Sequence, residues 1–418
     1  MLITYFLFRL PGAFLSLLPY RLLHALACGI GSAAFYLHRN FRKKALSNLA
    51  IAYGASKSEK ERKAIAKASF QNVAITCLEF FRLKRSKGNL SKVVTLVENQ
   101  EVRSLLEKKQ GVIFLTAHQA NWEIPFIAIT DLFQGVAIGR PIKNRWLYKW
   151  VLSVREMNGG KILMPRQAIR QGVRALKAGK FLGIVGDQAF PESPYAYPLF
   201  GTRAWTASTP ALLAYKTKCP IIVGTTQRIG HKYVVNSSSP FWADLSNPVK
   251  EEVPLLMDRV MSYLEKSLQK NPEQWMWIHD RWKQQGIDHV KRKYRFGFVL
   301  ITLPPDPTPF LEILPLLRRI YPRSFLSFLA PQGTQIPLPD CNVITYEKEE
   351  DLFMRDWRFQ IVLDFYNSAK LRRHYRRLGA FKTLSIKKMR KIAPDSHTLT
   401  DLIKKTLVKP ECLKIVSS

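Results

Sequence analysis

The sequence predicts an α/β protein in three parts: a hydrophobic helical anchor at residues 1–44, an α/β body built on a central sheet at 45–288, and a small α/β extension at 289–418. Three observations carry this expectation. The first forty residues are apolar but interrupted by Arg9, Arg21 and His24. Two short apolar runs, 111–117 and 181–186, each deliver polar residues at their carboxyl ends, as buried parallel strands do. Beyond residue 290, short apolar runs alternate with helical stretches, the rhythm of a parallel sheet with crossover helices.

At the N-terminus, residues 25–37 form an uninterrupted apolar piece of thirteen residues, short of the roughly 20 needed to span a bilayer. A secretory signal carries its charge first and a small-residue cleavage site later, and neither fits. Arg39, Arg42, Lys43 and Lys44 follow directly, a cluster suited to anionic phospholipid. The segment is therefore expected to be an embedded or interfacial membrane anchor with its basic flank on the cytoplasmic side. A buried helix pair is the alternative. Further along, 57–83 has the spacing of a long helix, and 101–109 that of a short one.

Composition narrows the function. Lys and Arg number 65 against 31 Asp and Glu, leaving a formal charge of +34. Such an excess calls for nucleic acid, anionic membrane or acidic protein as a partner. A hydrophobic fraction of 47% excludes wholesale disorder. Cys28, Cys77, Cys219, Cys341 and Cys412 form neither a C-x-x-C motif nor a disulfide framework, which points to a reduced, cytoplasm-facing protein.

The chemistry lies in residues 111–285. The first buried run ends at His118, and Glu123 follows five residues later across an expected strand-to-helix turn. Ligand sites in α/β sheets sit beyond the carboxyl ends of the strands. There a carboxylate can hold one imidazole nitrogen while the other accepts a proton. The second run ends in Asp187-Gln188, so two strands converge on one edge. Between the runs lie cations, Arg140 and Arg155 among them, that can seat phosphates or a carbonyl oxyanion. The bland reading makes His118 a satisfied structural histidine, Asp187 a turn cap and Arg140 a surface ion-pair partner.

These blocks, His118-Gln-Ala-Asn-Trp-Glu123, Gly139-Arg-Pro141, Val185-Gly-Asp-Gln188 with Pro198-Leu-Phe-Gly201, and Asn271-Pro-Glu-Gln-Trp-Met-Trp-Ile-His-Asp-Arg-Trp-Lys283, resemble in order and spacing the late lipid A acyltransferases of Gram-negative bacteria. That group transfers lauroyl or myristoyl chains and lies within the lysophospholipid-acyltransferase-like superfamily. The first block fits its H-x-x-x-x-D/E signature. The resemblance covers about two-thirds of the chain and fades after residue 290. It implies a lipopolysaccharide-biosynthesis enzyme at the cytoplasmic face of the inner membrane. Its partners would be an acyl carrier protein thioester, a lipid A precursor and anionic phospholipid, with no nucleic acid.

By the same resemblance, His118 removes the acceptor's hydroxyl proton and Glu123 orients and stabilises the imidazolium. Arg155 matches an arginine placed near the acyl carbonyl, with Arg140 as a second substrate contact. Asp187 orients the acceptor or supports the histidine. Around His118 the sequence offers neither three spaced metal ligands nor a G-x-S-x-G elbow, so no metal, no cofactor and no acyl-enzyme are expected. An acyltransferase of the same superfamily acting on another glycolipid or phospholipid stays open. So does a non-enzymatic basic protein that binds membrane or nucleic acid.

The tryptophans 275, 277 and 282 read as core packing or, less simply, as a stacking surface, and His279 is not counted as catalytic. The extension vaguely resembles half of a glycosyltransferase-like nucleotide-binding fold, yet it lacks G-x-G-x-x-G and P-loop motifs. Between Lys370 and Lys391 it holds ten Lys/Arg and no acid. This stretch is either a solvated basic face or a contact for bilayer or an acidic partner.

Overall fold

Apolar runs at the expected positions become the central strands of two sheets in the computed structural model, which describes residues 1–284 and 289–416. The boundary expected at 288 lies outside the described residues. The strands of the first sheet are β1 (Val94–Leu96), β2 (Val112–Thr116), β3 (Gly135–Ile138), β4 (Lys161–Leu163) and β5 (Phe181–Val185), followed, after the separate hairpin β6 (Ala196–Leu199) and β7 (Thr202–Trp205), by β8 (Ile221–Ile229) and β9 (Lys232–Ser237). The sheet order is β1-β9-β8-β2-β5-β3-β4, parallel throughout except where β8 meets β9. In β2 the residues Val112 to Leu115 are all buried, which is why the strand reads as one apolar run and does not alternate.

The N-terminal anchor expected from the sequence is overturned. Helices α1 (Leu2–Leu15), α2 (Tyr20–Leu37), α3 (Arg39–Tyr53) and α4 (Glu59–Leu83) follow one another. Among the described residues no helix is long and apolar enough to cross a membrane. Helix α2 instead buries a stripe at four-residue spacing, Leu23, Ala27, Gly31 and Phe35, inside the protein. Gly31 permits the close approach to α4: a Cβ there would sit 2.5 Å from the Gln71 Cα. His24 at 2.6 Å from the Glu79 carboxylate completes the contact. Helix α4 starts at a capping box formed by Ser58 and Glu61. On α1 the outer face leaves Ile3, Leu7, Leu10 and Phe14 exposed.

The extension is a second parallel sheet, β10 (Phe298–Thr302), β11 (Phe325–Pro331), β12 (Cys341–Tyr346), β13 (Ile361–Asp364) and β14 (Lys382–Ser385), in the order β12-β11-β10-β13-β14. Its two faces belong to different cores. Val299 and Ile301 pack with Leu314 and Leu317, whereas Phe298 and Leu300 join the cluster that holds Trp275, Trp277 and Trp282. All three indoles are fully buried. Truncating one such side chain typically costs about 3–5 kcal/mol. The contact between the two sheets' surroundings is tight: a Cβ on Gly297 would lie 2.5 Å from the Trp282 carbonyl oxygen. Arg355 adds a forked pair to Glu59 at 2.8 and 3.0 Å.

Candidate active site

Register builds the site. Parallel strands β2 and β5 pair Thr116 with Val185, and both chains then run two residues further. Equal overhangs bring His118 and Asp187 side by side. The Asp187 carboxylate accepts the His118 backbone N–H at 2.9 Å and meets its ring Nδ1 at 2.7 Å. Trp275 Nε1–H donates to the same carboxylate at 2.7 Å. With Asp187 ionised, the proton of the neutral imidazole sits on Nδ1 and the lone pair on Nε2.

The loop after His118 is fastened from several sides. Gln119 forms an antiparallel bridge with Trp275, and the Met276 N–H donates to the His118 carbonyl at 3.1 Å. Ala120 adopts φ 50°, a left-handed backbone uncommon for a residue with a Cβ. Its N–H reaches the Gln274 carbonyl at 2.7 Å, while its own carbonyl accepts from Asn72 and Thr76 of α4. Asn121 donates to buried Glu79 at 2.8 Å. These bonds hold a strained turn, and the turn aims the helix that follows, Ile124–Thr130.

Glu123 is not on the imidazole. Arg155, the last residue of helix Arg145–Arg155, grips its carboxylate through two parallel bonds of 2.7 and 2.6 Å. Sequence proximity suggested the His118–Glu123 pairing, but Asp187 already occupies the ring nitrogen. Glu123 and Arg155 instead line a cavity of about 220 Å³ whose other walls include Phe8, Cys77, Phe80, Trp122 and Trp150. A second, more enclosed apolar cavity of about 260 Å³ is lined by Val102, Leu106, Phe114, Thr116 and Ile129.

Electrostatics separate the groups. Burial disfavours the imidazolium of His118, but the Asp187 charge and hydrogen bond outweigh it and hold the pKa above the ordinary value. Asp187 is fully buried; burial resists its charge, yet His118 keeps its carboxyl well below the usual range. His279 behaves oppositely. Burial holds it below the ordinary imidazole value, its Nδ1 contacts the Met276 carbonyl, and its ring centroid lies 6.4 Å from that of His118. Arg281 is wholly buried, bonded to the Trp205 carbonyl at 3.0 Å and Thr206 Oγ1 at 2.7 Å, and burial draws its pKa down to about 10.

The structure thus gathers His118 with Asp187 and, beside them, Glu123 with Arg155. Arg140 stays exposed after β3, and among the described residues no ion pair joins it to this set. Trp275 as a donor to Asp187 was missed. The signal was its place in the dense tryptophan block, which reads as packing until the bridge to Gln119 is known. The Pro198-Leu-Phe-Gly201 block closes the β6–β7 hairpin through Phe200 and Gly201, both at positive φ. Phe200 stacks on Trp275 with ring centroids 6.2 Å apart.

The chain has known relatives. The chain matches the family model of bacterial lipid A biosynthesis acyltransferases over residues 1–284. It is 25% identical over 276 residues to the lipid A biosynthesis lauroyltransferase of Escherichia coli (strain K12), covering 64% of this chain and 87% of that protein. The palmitoleoyltransferase of the same strain is 22% identical over 281 residues, covering 65% of this chain and 88% of that one. A lipid A biosynthesis acyltransferase of Haemophilus influenzae is 23% identical over 292 residues, with 66% and 89% covered. The matched region contains His118, Asp187, Glu123, Arg155 and the tryptophan block, and through it the chain belongs to the bacterial lipid A biosynthesis acyltransferase family.

Proposed function

We propose that the protein moves a fatty acyl chain from an acyl carrier protein thioester to a hydroxyl of a lipid A precursor, at the cytoplasmic face of the inner membrane. The observation that carries this reading is the oriented His118–Asp187 pair beside an apolar cavity edged by the Glu123–Arg155 pair. His118 Nε2 takes the acceptor's hydroxyl proton as the oxygen attacks the thioester carbonyl. Asp187 stabilises the imidazolium that forms. Arg155, aimed by Glu123, offers its guanidinium to the oxyanion or to a precursor phosphate. Collapse of the tetrahedral adduct breaks the C–S bond, and the imidazolium returns the proton to the departing thiolate. No side chain is acylated.

Several features support an amphiphilic substrate. Phe8 of α1 lines the cavity, and the outer face of the same helix exposes Ile3, Leu7 and Leu10. The net charge of +34 suits an acidic carrier protein, a phosphorylated acceptor and anionic phospholipid. The test is direct. Purified protein is incubated with a radiolabelled acyl carrier protein thioester and a lipid A precursor. Labelled lipid should form with the wild type and not with His118→Ala, for which removal of a general base lowers the rate roughly 10²–10⁴-fold. Equal turnover by the two proteins would end this mechanism.

A further inference from the structure

The extension contains a basin that the acyl-transfer chemistry does not use. From β10 the chain lays β11 and β12 outward on one side, then returns to place β13 and β14 on the other. The connections therefore diverge between β10 and β13, the kind of switch point near which open α/β sheets bind ligands, outside the strands' carboxyl ends. One strand over, the segments leaving β13 and β14 border an open depression of about 630 Å³ lined by Asn367, Ile386, Lys387, Arg390, Lys391 and Pro394.

Its charge is uncompensated. From residue 365 to 394 the chain has no Asp or Glu. The nearby buried acid, Asp364, is already committed: it pairs with Arg372 and accepts from Thr302 Oγ1 at 3.0 Å and the Asn367 N–H at 2.9 Å. Asp364 thus holds the Asn367 backbone at the rim without neutralising Lys387, Arg390 or Lys391. Among the described residues none of these three is in an ion pair. The neighbourhood registers the excess. Burial, then Arg376, Lys382 and Arg372, holds the Lys388 ammonium below its ordinary range.

We propose that this basin is a binding site for a phosphate-bearing ligand, separate from the acyl-transfer site, with Lys387, Arg390 and Lys391 contacting the phosphate oxygens and Asn367 at its rim. Arg390 offers a forked pair of donors, and the two lysines supply mobile point charges. A phosphate carried on a lipid headgroup and one on a soluble molecule present the same oxygens.

The test uses the full-length protein with pyrophosphate in calorimetric titration and, separately, sedimentation with phosphatidylcholine vesicles containing phosphatidic acid. The triple variant Lys387→Ala, Arg390→Ala, Lys391→Ala is compared with a control, Arg170→Ala, Arg174→Ala, Lys177→Ala, which removes equal charge from exposed positions of helix Pro165–Lys177. All six side chains are exposed, so both variants should keep the circular dichroism of the wild type. Binding of either probe should fall about tenfold or more in the first variant and less than about twofold in the control. Loss with pyrophosphate assigns a soluble ligand; loss confined to the vesicles assigns a lipid-borne one. Equal weakening in both variants, or no binding of either probe by the wild type, overturns the site.

Discussion

Asp187 accepts two hydrogen bonds from one residue, the backbone N–H and the ring of His118, so a single carboxylate fixes both the tautomer of the imidazole and the loop that carries it. Asp187→Asn keeps the volume and removes the charge. In Ser-His-Asp triads the equivalent change lowers turnover about 10⁴-fold through the wrong tautomer. Here kcat should fall roughly 10²–10⁴-fold with KM little altered. A kcat near that of the wild type would show that Asp187 only shapes the loop.

The pH dependence follows from the same pair. The proposed mechanism requires a neutral His118, and its pKa is raised. The acidic limb of kcat/KM should therefore have its midpoint above the ordinary imidazole value of about 6.5, and Asp187→Asn should move it down. Stability carries the matching signs. His118, raised in the folded state, contributes below its unfolded pKa and loses that contribution as pH rises through the folded one. Asp187, depressed when folded, contributes above the usual carboxylate range and loses it on acidification. Rate profiles and melting temperatures across pH check both.

Glu123 and Arg155 should act as a unit. Lysine has one ammonium where arginine has a planar fork, so Arg155→Lys cannot restore the two parallel bonds to Glu123. It should lower kcat/KM about tenfold or more. A double-mutant cycle with Glu123→Gln should give a coupling of roughly 1–3 kcal/mol. Additive effects would mean that the two residues serve separate steps.

Cys77 lines the cavity beside Glu123, a position that the sequence, with no cysteine inside its motif blocks, did not signal. Apolar surroundings, and then the Glu123 charge, push its thiol pKa up, so it is a poor nucleophile. Cys77→Ser should retain activity. Treatment with N-ethylmaleimide should leave wild-type activity largely intact, because a thiol whose pKa is pushed up holds little of the thiolate that the reagent attacks. A stoichiometric acyl group trapped on Cys77 would refute direct transfer.

Much of this was legible in the residues, because buried parallel strands announce themselves as unbroken apolar runs and end where polar residues begin. Thus β2, β5, β10 and β13 fall where the runs lie, and His118 and Asp187 stand out as strand-end residues. What stays open in the sequence is pairing: Asp187 reads as orienting either the acceptor or the histidine, while proximity assigns the ring nitrogen to Glu123. His118 and Glu123 are near in the chain, whereas Asp187 arrives through the registration of two strands 69 residues apart, information that no single segment contains. The anchor was misread for a related reason. Hydropathy reports that a stretch is apolar, not whether lipid or another helix covers it, and α2 meets α4 through a stripe only one residue in four wide.

The indoles of Trp275, Trp277 and Trp282 and the side chains of Phe298, Leu300 and Val362 lie in one continuous apolar cluster. Thermodynamically the extension is therefore not an appendage. Stopping the chain near residue 290 would bring these surfaces into water directly beneath the tryptophan that holds Asp187. The protein should accordingly melt in a single calorimetric transition, and a destabilising lesion at the far end of the second sheet should lower acyltransferase activity and the folded fraction together.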